Sequence, residues 1–225
     1  MAHAKTSGAQ RGLSRFEGFS DAVFAIALTL LIVEIKVPGS PEGPHGYSDL
    51  AKAMAEQWRE HLALILCYVV LGAYWLQHHY SGRIYVKSDH WFSAINLLFL
   101  LAIVFVPYPI RIWCFHVGTP FEPAAAVTLV AGLALTACTW MAKWFYGMPG
   151  RRVMDERLAP DFLKQMTRRY GTATLVQIAA VPIAIAAPRL GVAIALVCVA
   201  FFLLPQPKPR YEPGEEPSTE EKLKE

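Results

Sequence analysis

Charged residues are scarce in this chain of 225 amino acids. Asp, Glu, Lys and Arg make up 17% of the residues, whereas hydrophobic residues make up 54%. A soluble domain usually carries about 25% charged residues, so the composition argues against a soluble fold. The net charge of +3 is too small to point to a nucleic acid partner. The apolar residues gather in blocks of roughly 20, the length at which a helix crosses a bilayer, and these blocks predict an all-α membrane protein.

Several signatures of chemistry are missing as well. The four cysteines form no C-x-x-C pair and lie in or beside apolar blocks, which argues against a disulfide framework or a zinc site. The motifs H-E-x-x-H and G-x-S-x-G, the Walker A loop and the Rossmann glycine pattern do not occur. The sequence therefore predicts neither an enzyme nor a bound cofactor or metal ion. The carbonyl filter motif T-V-G-Y-G is also absent, so any ion that passes must be selected by side chains.

Hydropathy predicts six transmembrane helices between residues 15 and 204. The apolar blocks are residues 16–37, 62–79, 91–110, closed by Pro107 and Pro109, and 124–146, then 172–204, which Pro188 and Arg189 divide into two short helices. The sequence S-R-F-E at residues 14–17 matches a capping box, so we expect the first helix to begin near Arg15. Asp21 interrupts this block and no cleavage site follows, which favours a retained span over a signal peptide. Ser48 is expected to cap a polar start of the second helix.

Lys and Arg predict the topology because they concentrate in alternate connections. They are frequent in the N-terminal tail of residues 1–14, in the loop after the second span and in residues 150–170. These segments should face the cytoplasm, which places both termini there in a multi-pass protein of the cell membrane. Residues 150–170 either meet anionic lipid head groups along the membrane surface or form a solvated loop that sets orientation; the second interpretation is favoured. Residues 205–225 are Pro-rich and charged, which predicts a disordered cytoplasmic tail.

The first span carries the most unusual pattern. Asp21 lies inside it, and an ionisable group at such a depth normally faces a bundle interior or water and finds a partner. One face of the helix, at i, i+3, i+4 and i+7 spacing, carries Ala22, Ala25, Ile26, Thr29, Leu30 and Val33. This narrow stripe either lines an axis, with Ile26 excluding water, or packs as any apolar helix does. Spacing alone favours ordinary packing.

Other polar groups are candidates for partners of that helix. Trp75 and His78 share a face at the end of the second span. Zinc bound by His78 and the adjacent His79 would need a third ligand, and none occurs at helical spacing. We therefore expect one imidazole to satisfy a buried acid such as Asp21. Asn96 in the third span needs a partner too, and Arg15 either pairs with Asp21 or a lipid head group or only sets the topology.

Three motifs, taken in order, resemble the transmembrane protein 175 family. They are R-x-x-x-F-S-D at residues 15–21, continuing as AVFAIALTLLIVEIKVP, then YWLQHHY at 74–80 and INLLFLLAIVFVPYP at 95–109. The resemblance covers the first three spans by motif and the last three by hydropathy. It implies a potassium-permeable channel with six spans per repeat. Single-repeat members assemble as homotetramers around a central pore that the first span lines.

The resemblance also implies roles for individual residues. Ile26 would form the hydrophobic gate, which Leu30 and Val33 continue, and Thr29 would contribute the preference for potassium. Some relatives carry a hydroxyl residue where this chain has Ala25, which predicts weak selectivity among monovalent cations. Behind the pore the resemblance implies a polar network of Arg15, Phe19, Ser20, Asp21, Trp75, His78 and Asn96.

The predicted partners are other copies of the chain and membrane lipid. K⁺ is the expected permeating ion, with no nucleic acid and no small-molecule substrate other than monovalent cations. Two other functions remain open. One is a proton-linked transporter or proton pathway in which Asp21 and His78 exchange protons. The other is a membrane enzyme that uses the histidines and a metal, for which no residues lie at metal-ligand spacing.

Overall fold

The computed structural model describes residues 8–41, 43, 45, 46 and 49–217, with side chains from residue 13 onward. Apart from two isolated β-bridges, the described residues form helices and the turns between them. The α-helices of this part of the chain are α1 (Gly8–Leu30), α2 (Leu50–Glu56), α3 (Trp58–Ser81), α4 (His90–Phe105), α5 (Pro107–His116), α6 (Glu122–Gly147), α7 (Pro160–Ala186) and α8 (Pro188–Ala200). Short 3₁₀ turns extend α1 over Leu31–Glu34 and α8 over Phe201–Leu203.

Among the described residues, five helical segments are long and apolar enough to cross a membrane. They are Leu13–Glu34, Trp58–Ser81, His90–His116, Glu122–Gly147 and Pro160–Ala186. A further apolar segment, Pro188–Leu203, is shorter. The all-helical class of the prediction is thus confirmed, with five membrane-capable helices.

The prolines of the third block end α4 at Phe105, but the apolar segment continues to His116, beyond the predicted end at Ile110. Val106 keeps helical torsions, with φ −48° and ψ −43°, and α5 continues from Pro107 to His116. Proline lacks an amide hydrogen. In the first turn of a helix the amide hydrogens have no acceptor within the helix, so a proline there costs no hydrogen bond. Pro107 and Pro109 therefore start α5 at almost no expense in hydrogen bonds, and α4 and α5 together form one long apolar segment.

Two predicted helix starts also differ. α1 begins at Gly8, so Ser14 lies inside the helix and residues 8–14 of the predicted tail are helical. Ser48 lies outside the described residues. The side chain of Asp49 caps α2 by accepting a hydrogen bond from the amide of Ala51 at 2.9 Å. The polar start expected for the second span is thus a separate short helix, α2.

The basic connection of residues 150–170 is shorter than predicted, because α7 already begins at Pro160. Arg168 and Arg169 consequently belong to a membrane-capable helix and not to a loop. The remaining loop pairs with the connection before α4. The amide of Val86 donates to the carbonyl of Val153, and the amide of Asp155 donates to that of Ile84, both at 2.9 Å.

Residues 206–212, predicted to be disordered, form an extended strap across this same end of the bundle. Tyr80 donates its hydroxyl hydrogen to the carbonyl of Pro207 at 2.6 Å. The amide of Ala159 donates to the carbonyl of Arg210, and the amide of Glu212 to that of Arg157, at 2.8 and 2.9 Å. Composition predicted disorder because the strap has no apolar core of its own; backbone hydrogen bonds to the loop hold it instead. Residues 218–225 lie outside the described residues.

The core is centred on α6, which packs against α4, α5, α7 and α8. Its fully buried side chains include Leu129, Leu133 and Trp144. In contrast, α1 packs on the flank against α3 and α4. Only 17% of its apolar stretch is buried, against 56% in α6. The helix with the unusual sequence pattern is thus the one that the rest of the chain covers least.

Candidate ion pathway and its polar support

The outward face of α1 is a continuous stripe that the rest of the chain leaves uncovered. Phe19, Ile26 and Val33 are 54%, 58% and 63% exposed. Ala22 and Thr29 between them are exposed as well. Steps of alternately three and four residues keep these positions on one side of a helix. We call this surface, completed by the exposed Ala25 and Leu30, the α1 stripe.

Thr29 presents an oxygen atom on the α1 stripe. Its hydroxyl donates to the carbonyl of Ala25 at 2.8 Å, with that of Ile26 at 3.2 Å as a second acceptor. Because the hydroxyl hydrogen is directed at the helix backbone, the oxygen lone pairs remain available to a ligand. A hydroxyl oxygen without a hydrogen turned outward suits a cation. Ala25, one turn earlier, is exposed and carries no such oxygen.

On the opposite face of α1, Ser20 anchors the helix to the bundle. The side chain is fully buried, donates to the carbonyl of Phe16 and accepts from the amide nitrogen of Asn96, each at 3.0 Å. The carbonyl oxygen of Asn96 in turn accepts a hydrogen bond from the ammonium group of Lys143 at 3.3 Å. The structure therefore links α1, α4 and α6 through one buried polar chain, Ser20–Asn96–Lys143.

Asp21 takes a different partner from the expected one. Its carboxylate accepts a hydrogen bond from the indole nitrogen of Trp75 at 3.1 Å. His78 instead stacks on Phe24, with 5.8 Å between the ring centroids. Its Nδ1 is buried and has no hydrogen-bond partner among the described residues. The sequence predicts that both Trp75 and His78 lie near α1. In the structure the indole of Trp75, and not the imidazole of His78, donates a hydrogen bond to Asp21.

Two members of the predicted network lie outside it. Phe19 is 54% exposed and belongs to the α1 stripe. Phe16, three residues earlier, makes the inward aromatic contact, with its ring 5.3 Å from that of Phe92. Arg15 is exposed, and within the described part of the chain it forms no ion pair with Asp21. The structure thus brings together Ser20 with Asn96 and Asp21 with Trp75.

Lys143 is the member of the polar chain that the sequence analysis missed. The residue is 1% exposed, and its ammonium nitrogen lies 4.2 Å from the ring centroid of Trp140 and 5.1 Å from that of Phe99. A buried ammonium is unfavourable unless acceptors or aromatic faces compensate for lost water, and here both kinds of group surround it. The signal was available, since a lysine within the apolar block of residues 124–146 is itself exceptional.

Glu34 is a second residue that sequence reasoning missed. It ends the 3₁₀ turn after α1, next to Val33, and pairs with Arg111 of α5 at 3.0 Å. Both side chains are partly exposed, so the pair contributes on the order of 1 kcal/mol or less to stability. A groove of about 570 Å³ between α1 and the α4–α5 segment runs along one side of the stripe and ends at this pair.

Within the described residues no group of three or more His, Cys, Asp or Glu side chains lies close enough to hold a metal ion. The cysteines at 67, 114, 138 and 198 are all free thiols. The chemistry of the site is therefore that of an apolar stripe with one hydroxyl oxygen, supported from behind by two sets of hydrogen bonds.

The chain is similar to proteins of one family. The family described as "Endosomal/lysosomal potassium channel TMEM175" matches residues 15–107. A protein of Streptomyces collinus named a potassium channel is 31% identical over 163 residues, which are 72% of this chain and 77% of that protein. The "Endosomal/lysosomal proton channel TMEM175" of Gallus gallus is 34% identical over 97 residues, which are 41% of this chain and 19% of that protein.

A solved structure extends the similarity beyond the matched motifs. It is the crystal structure of a lysosomal potassium-selective channel TMEM175 homolog from Chamaesiphon minutus. The TM-score is 0.72 at 26% sequence identity, and the match covers 86% of this chain and 97% of that chain. The shared fold therefore extends well beyond residues 15–109, which carry the sequence motifs.

Proposed function

Because this chain belongs to the TMEM175 family, we propose that it is a potassium channel, which conducts K⁺ passively across the cell membrane and is not an enzyme. The Streptomyces relative, which the chain covers over 77% of its length, carries the name of a potassium channel. The structural observation that carries the proposal is the α1 stripe. It is apolar except for one hydroxyl, and none of the elements that the structure describes covers it.

The proposed assembly is a homotetramer in which four copies of α1 surround the pore. A stripe without a partner in its own chain is what a central helix requires, since its partners are symmetry-related copies and the permeating ion. Residues 15–204 form the channel domain, with Pro188–Leu203 as the sixth span. That segment is about 24 Å long at about 1.5 Å per residue, which crosses most of the roughly 30 Å of hydrocarbon.

In this assembly Ile26 forms the gate. Four isoleucine side chains around an axis make an apolar ring, and such a constriction stops ions by excluding water until it widens. Leu30 and Val33 continue the apolar wall toward Glu34. The hydroxyl oxygens of Thr29 then supply the only polar contact of the α1 stripe. Because Ala25 adds no oxygen, we propose weak selectivity among monovalent cations.

The buried polar chain and the Asp21–Trp75 hydrogen bond act as positioning groups. Successive residues of a helix are about 100° apart around its axis, so a rotation of α1 by one residue would turn Ile26 away from the pore. Ser20, 0% exposed, and Phe24, also 0% exposed, hold the inward face against such a rotation. We propose that this network keeps Ile26 and Thr29 facing the pore axis. Phe19 and Arg15 are not part of it.

Flux measurements on purified protein in liposomes test the gate. Ile26→Ala is expected to raise K⁺ flux because a methyl group leaves a wider, wettable ring. Ile178→Ala on α7 is the matched control, since Ile178 is 47% exposed and is not part of the stripe; its flux should equal that of the wild type. Absence of K⁺ flux from the wild type, or equal flux from the two variants, contradicts the proposal.

Proton conduction is the second candidate, favoured by the name of the Gallus gallus relative. Asp21, which is exposed on α1, is the group that would carry the protons. Within the described residues its hydrogen-bond partner is Trp75 and not His78. A pH-sensitive dye inside K⁺-free liposomes would report the proton flux. Flux that disappears in Asp21→Asn, while the variant still elutes as a folded oligomer, supports this candidate over the potassium channel.

The orientation is proposed from charge. The end of the bundle that carries the strap, the loop before α4 and the loop before α7 is here named the basic end. It holds Arg83, Lys87, Arg151, Arg152, Arg157, Lys208 and Arg210. The rule that cytoplasmic segments are rich in Lys and Arg places it, with both termini, in the cytoplasm. A green fluorescent protein fused to the C-terminus should therefore fluoresce in cells, and a periplasmic reporter at that position should stay inactive.

A further inference from the structure

A groove of about 690 Å³ runs between α7 and α8 on the outside of the bundle. Its walls are apolar, formed by residues such as Val176, Ile194 and Val197. Val197 is 71% exposed, the largest exposed fraction among the bulky hydrophobic residues that the structure describes. The walls belong to α7 and α8, whereas α1 packs against α3 and α4. The groove is therefore separate from the α1 stripe, and its occupant does not depend on ion conduction.

Arg169 stands at the end of this groove that is nearer the basic end. Its Nε and Nη2 are buried and have no hydrogen-bond acceptor among the described residues. The guanidinium carbon lies 4.6 Å from the ring centroid of Phe201 and 5.8 Å from that of Phe202. These rings compensate the charge in part, but they accept no hydrogen bond in the plane of the guanidinium. Buried N–H groups normally have a hydrogen-bond acceptor, so two unsatisfied N–H groups of one guanidinium indicate an acceptor from outside the chain.

The neighbouring charges do not supply that acceptor. Lys164, one turn and a half earlier on α7, pairs with Asp161 at 3.5 Å. Arg168 is exposed and adds a second positive charge beside the groove. Arg169 forms no ion pair within the described part of the chain. The mouth of the groove is thus positive, and none of the described residues that line it is acidic.

We propose that this groove binds one anionic phospholipid. Oxygen atoms of its phosphate accept hydrogen bonds from Nε and Nη2 of Arg169, a planar fork that suits the bidentate recognition of phosphate. One acyl chain lies along the groove between α7 and α8. From Arg169 to Val176 the helix advances about 10 Å, which is long enough to hold roughly half of an acyl chain.

The lipid is favoured over a free anion because the groove is apolar and opens on the surface of the membrane-capable helix α7 and the shorter apolar segment of α8. A soluble anion gains nothing from contact with apolar side chains, whereas an acyl chain buries them and is itself removed from water. Arg169 lies nine residues, about 14 Å, from the start of α7. A long arginine side chain at that depth can reach toward a head group at the membrane interface while its stem stays in hydrocarbon.

The test is lipid binding to the purified full-length protein by native mass spectrometry. The probes are a phosphatidylglycerol and a phosphatidylcholine with the same acyl chains. We expect one phosphatidylglycerol to bind about tenfold more tightly than phosphatidylcholine, a difference of about 1.4 kcal/mol. Both lipids offer phosphate oxygens to the fork, but the choline cation brings a further positive charge next to Arg168 and Arg169, whereas the glycerol head group is neutral. Arg169→Gln should remove this preference, and Arg169→Lys, which keeps the charge but loses the fork, should retain only part of it.

Arg168→Gln is the matched control. It removes the same charge from the neighbouring residue, whose side chain is exposed. It should change the preference by less than about twofold, as expected for exposed charges. Equal losses in Arg168→Gln and Arg169→Gln would overturn the proposal in favour of diffuse surface charge. Equal binding of the two lipids to the wild type would overturn it directly.

A second pair of variants tests the acyl chain without touching the arginine. Val197→Trp fills the groove and should weaken phosphatidylglycerol binding. Leu175→Trp adds the same side chain at a residue that is 66% exposed but does not line the groove, and should leave binding unchanged. Competition by inorganic phosphate as effective as by added phosphatidylglycerol would show a simple anion site and contradict the proposal.

Discussion

The buried polar chain behind α1 offers the sharpest test of how the helix is held. Asn96→Leu keeps the volume of the side chain but removes both of its hydrogen bonds, the one to Ser20 at 3.0 Å and the one from Lys143 at 3.3 Å. The variant therefore leaves a buried ammonium facing only aromatic rings. No other described acceptor bonds to that ammonium, so the structure has no replacement ready.

The expected destabilisation follows from the two bonds. A hydrogen bond to a charged group contributes about 1.5–3 kcal/mol and a neutral one about 1 kcal/mol. Their sum is roughly 3 kcal/mol, although bonds between membrane helices tend to the low end of such ranges. For a protein of this size a loss of 1 kcal/mol lowers Tm by about 2–4 °C. Asn96→Leu should thus lower Tm by roughly 6–12 °C.

The assay is thermal unfolding of detergent-solubilised protein, followed by tryptophan fluorescence and by size-exclusion chromatography. Gln177→Leu is the matched control. Its side chain is 2% exposed and donates one neutral bond, to the carbonyl of Ala195 at 3.0 Å. It should lower Tm by about a third as much, because only one neutral bond is lost.

The double variant Asn96→Leu/Lys143→Met tests whether the unpaired ammonium group of Lys143 causes the loss of stability. Methionine fills the space of the lysine stem without a charge, so most of the lost stability should return. If the double variant is as unstable as Asn96→Leu alone, or if Asn96→Leu unfolds within 1 °C of the wild type, the reasoning about the buried ammonium is refuted. In liposomes the single variant should also change K⁺ flux, because α1 is no longer held in register.

Three further predictions concern the pore oxygen, an acid at the basic end and the strap. Thr29→Val keeps the shape of the side chain but removes the hydroxyl oxygen, so the ratio of K⁺ to Na⁺ flux in liposomes should fall toward one while Tm stays unchanged; an unchanged ratio would exclude Thr29 from ion contact. Burial alone would raise the pKa of Asp155, but hydrogen bonds from the side chain and backbone of Arg157 and its charge hold that pKa below the ordinary 3.8. A lowered pKa means stability that is present above pH 3.8 and is lost as pH falls through the folded value, so the loss of Tm in Asp155→Asn should be full at pH 7 and should shrink as the pH is taken below 3.8. Tyr80→Phe removes the 2.6 Å bond to the carbonyl of Pro207 and should speed trypsin cleavage after Arg210, the basic residue of the strap that is not followed by proline.

Each of these three variants has a matched control. Thr172→Val changes an exposed threonine of α7 that likewise bonds to its own helix backbone at 2.7 Å, and it should leave the flux ratio unchanged. Glu156→Gln alters an exposed acid next to Asp155 and should show no comparable pH dependence. Tyr68→Phe, at a tyrosine that is 59% exposed, should leave the rate of tail cleavage as it is; equal cleavage of Tyr68→Phe and Tyr80→Phe would show that the strap is not held by this bond.

The class and family of the protein were accessible from the sequence. Hydropathy is a local property, so blocks of about 20 apolar residues identify membrane helices without any knowledge of their neighbours. The spacing of Ile26 and Thr29 likewise defines a face of α1, because the period of a helix is constant. The motifs around Asp21, Trp75 and Asn96 marked the polar groups that needed partners.

Partner choice was decided only by the tertiary structure. Each residue turns a side chain by about 100°, so whether Trp75 or His78 reaches Asp21 depends on how α1 and α3 are rotated against each other. Lys143 lies 47 residues from Asn96 along the chain, and no local pattern connects them. The strap is a similar case, since its order comes from backbone hydrogen bonds to a distant loop, which composition does not encode.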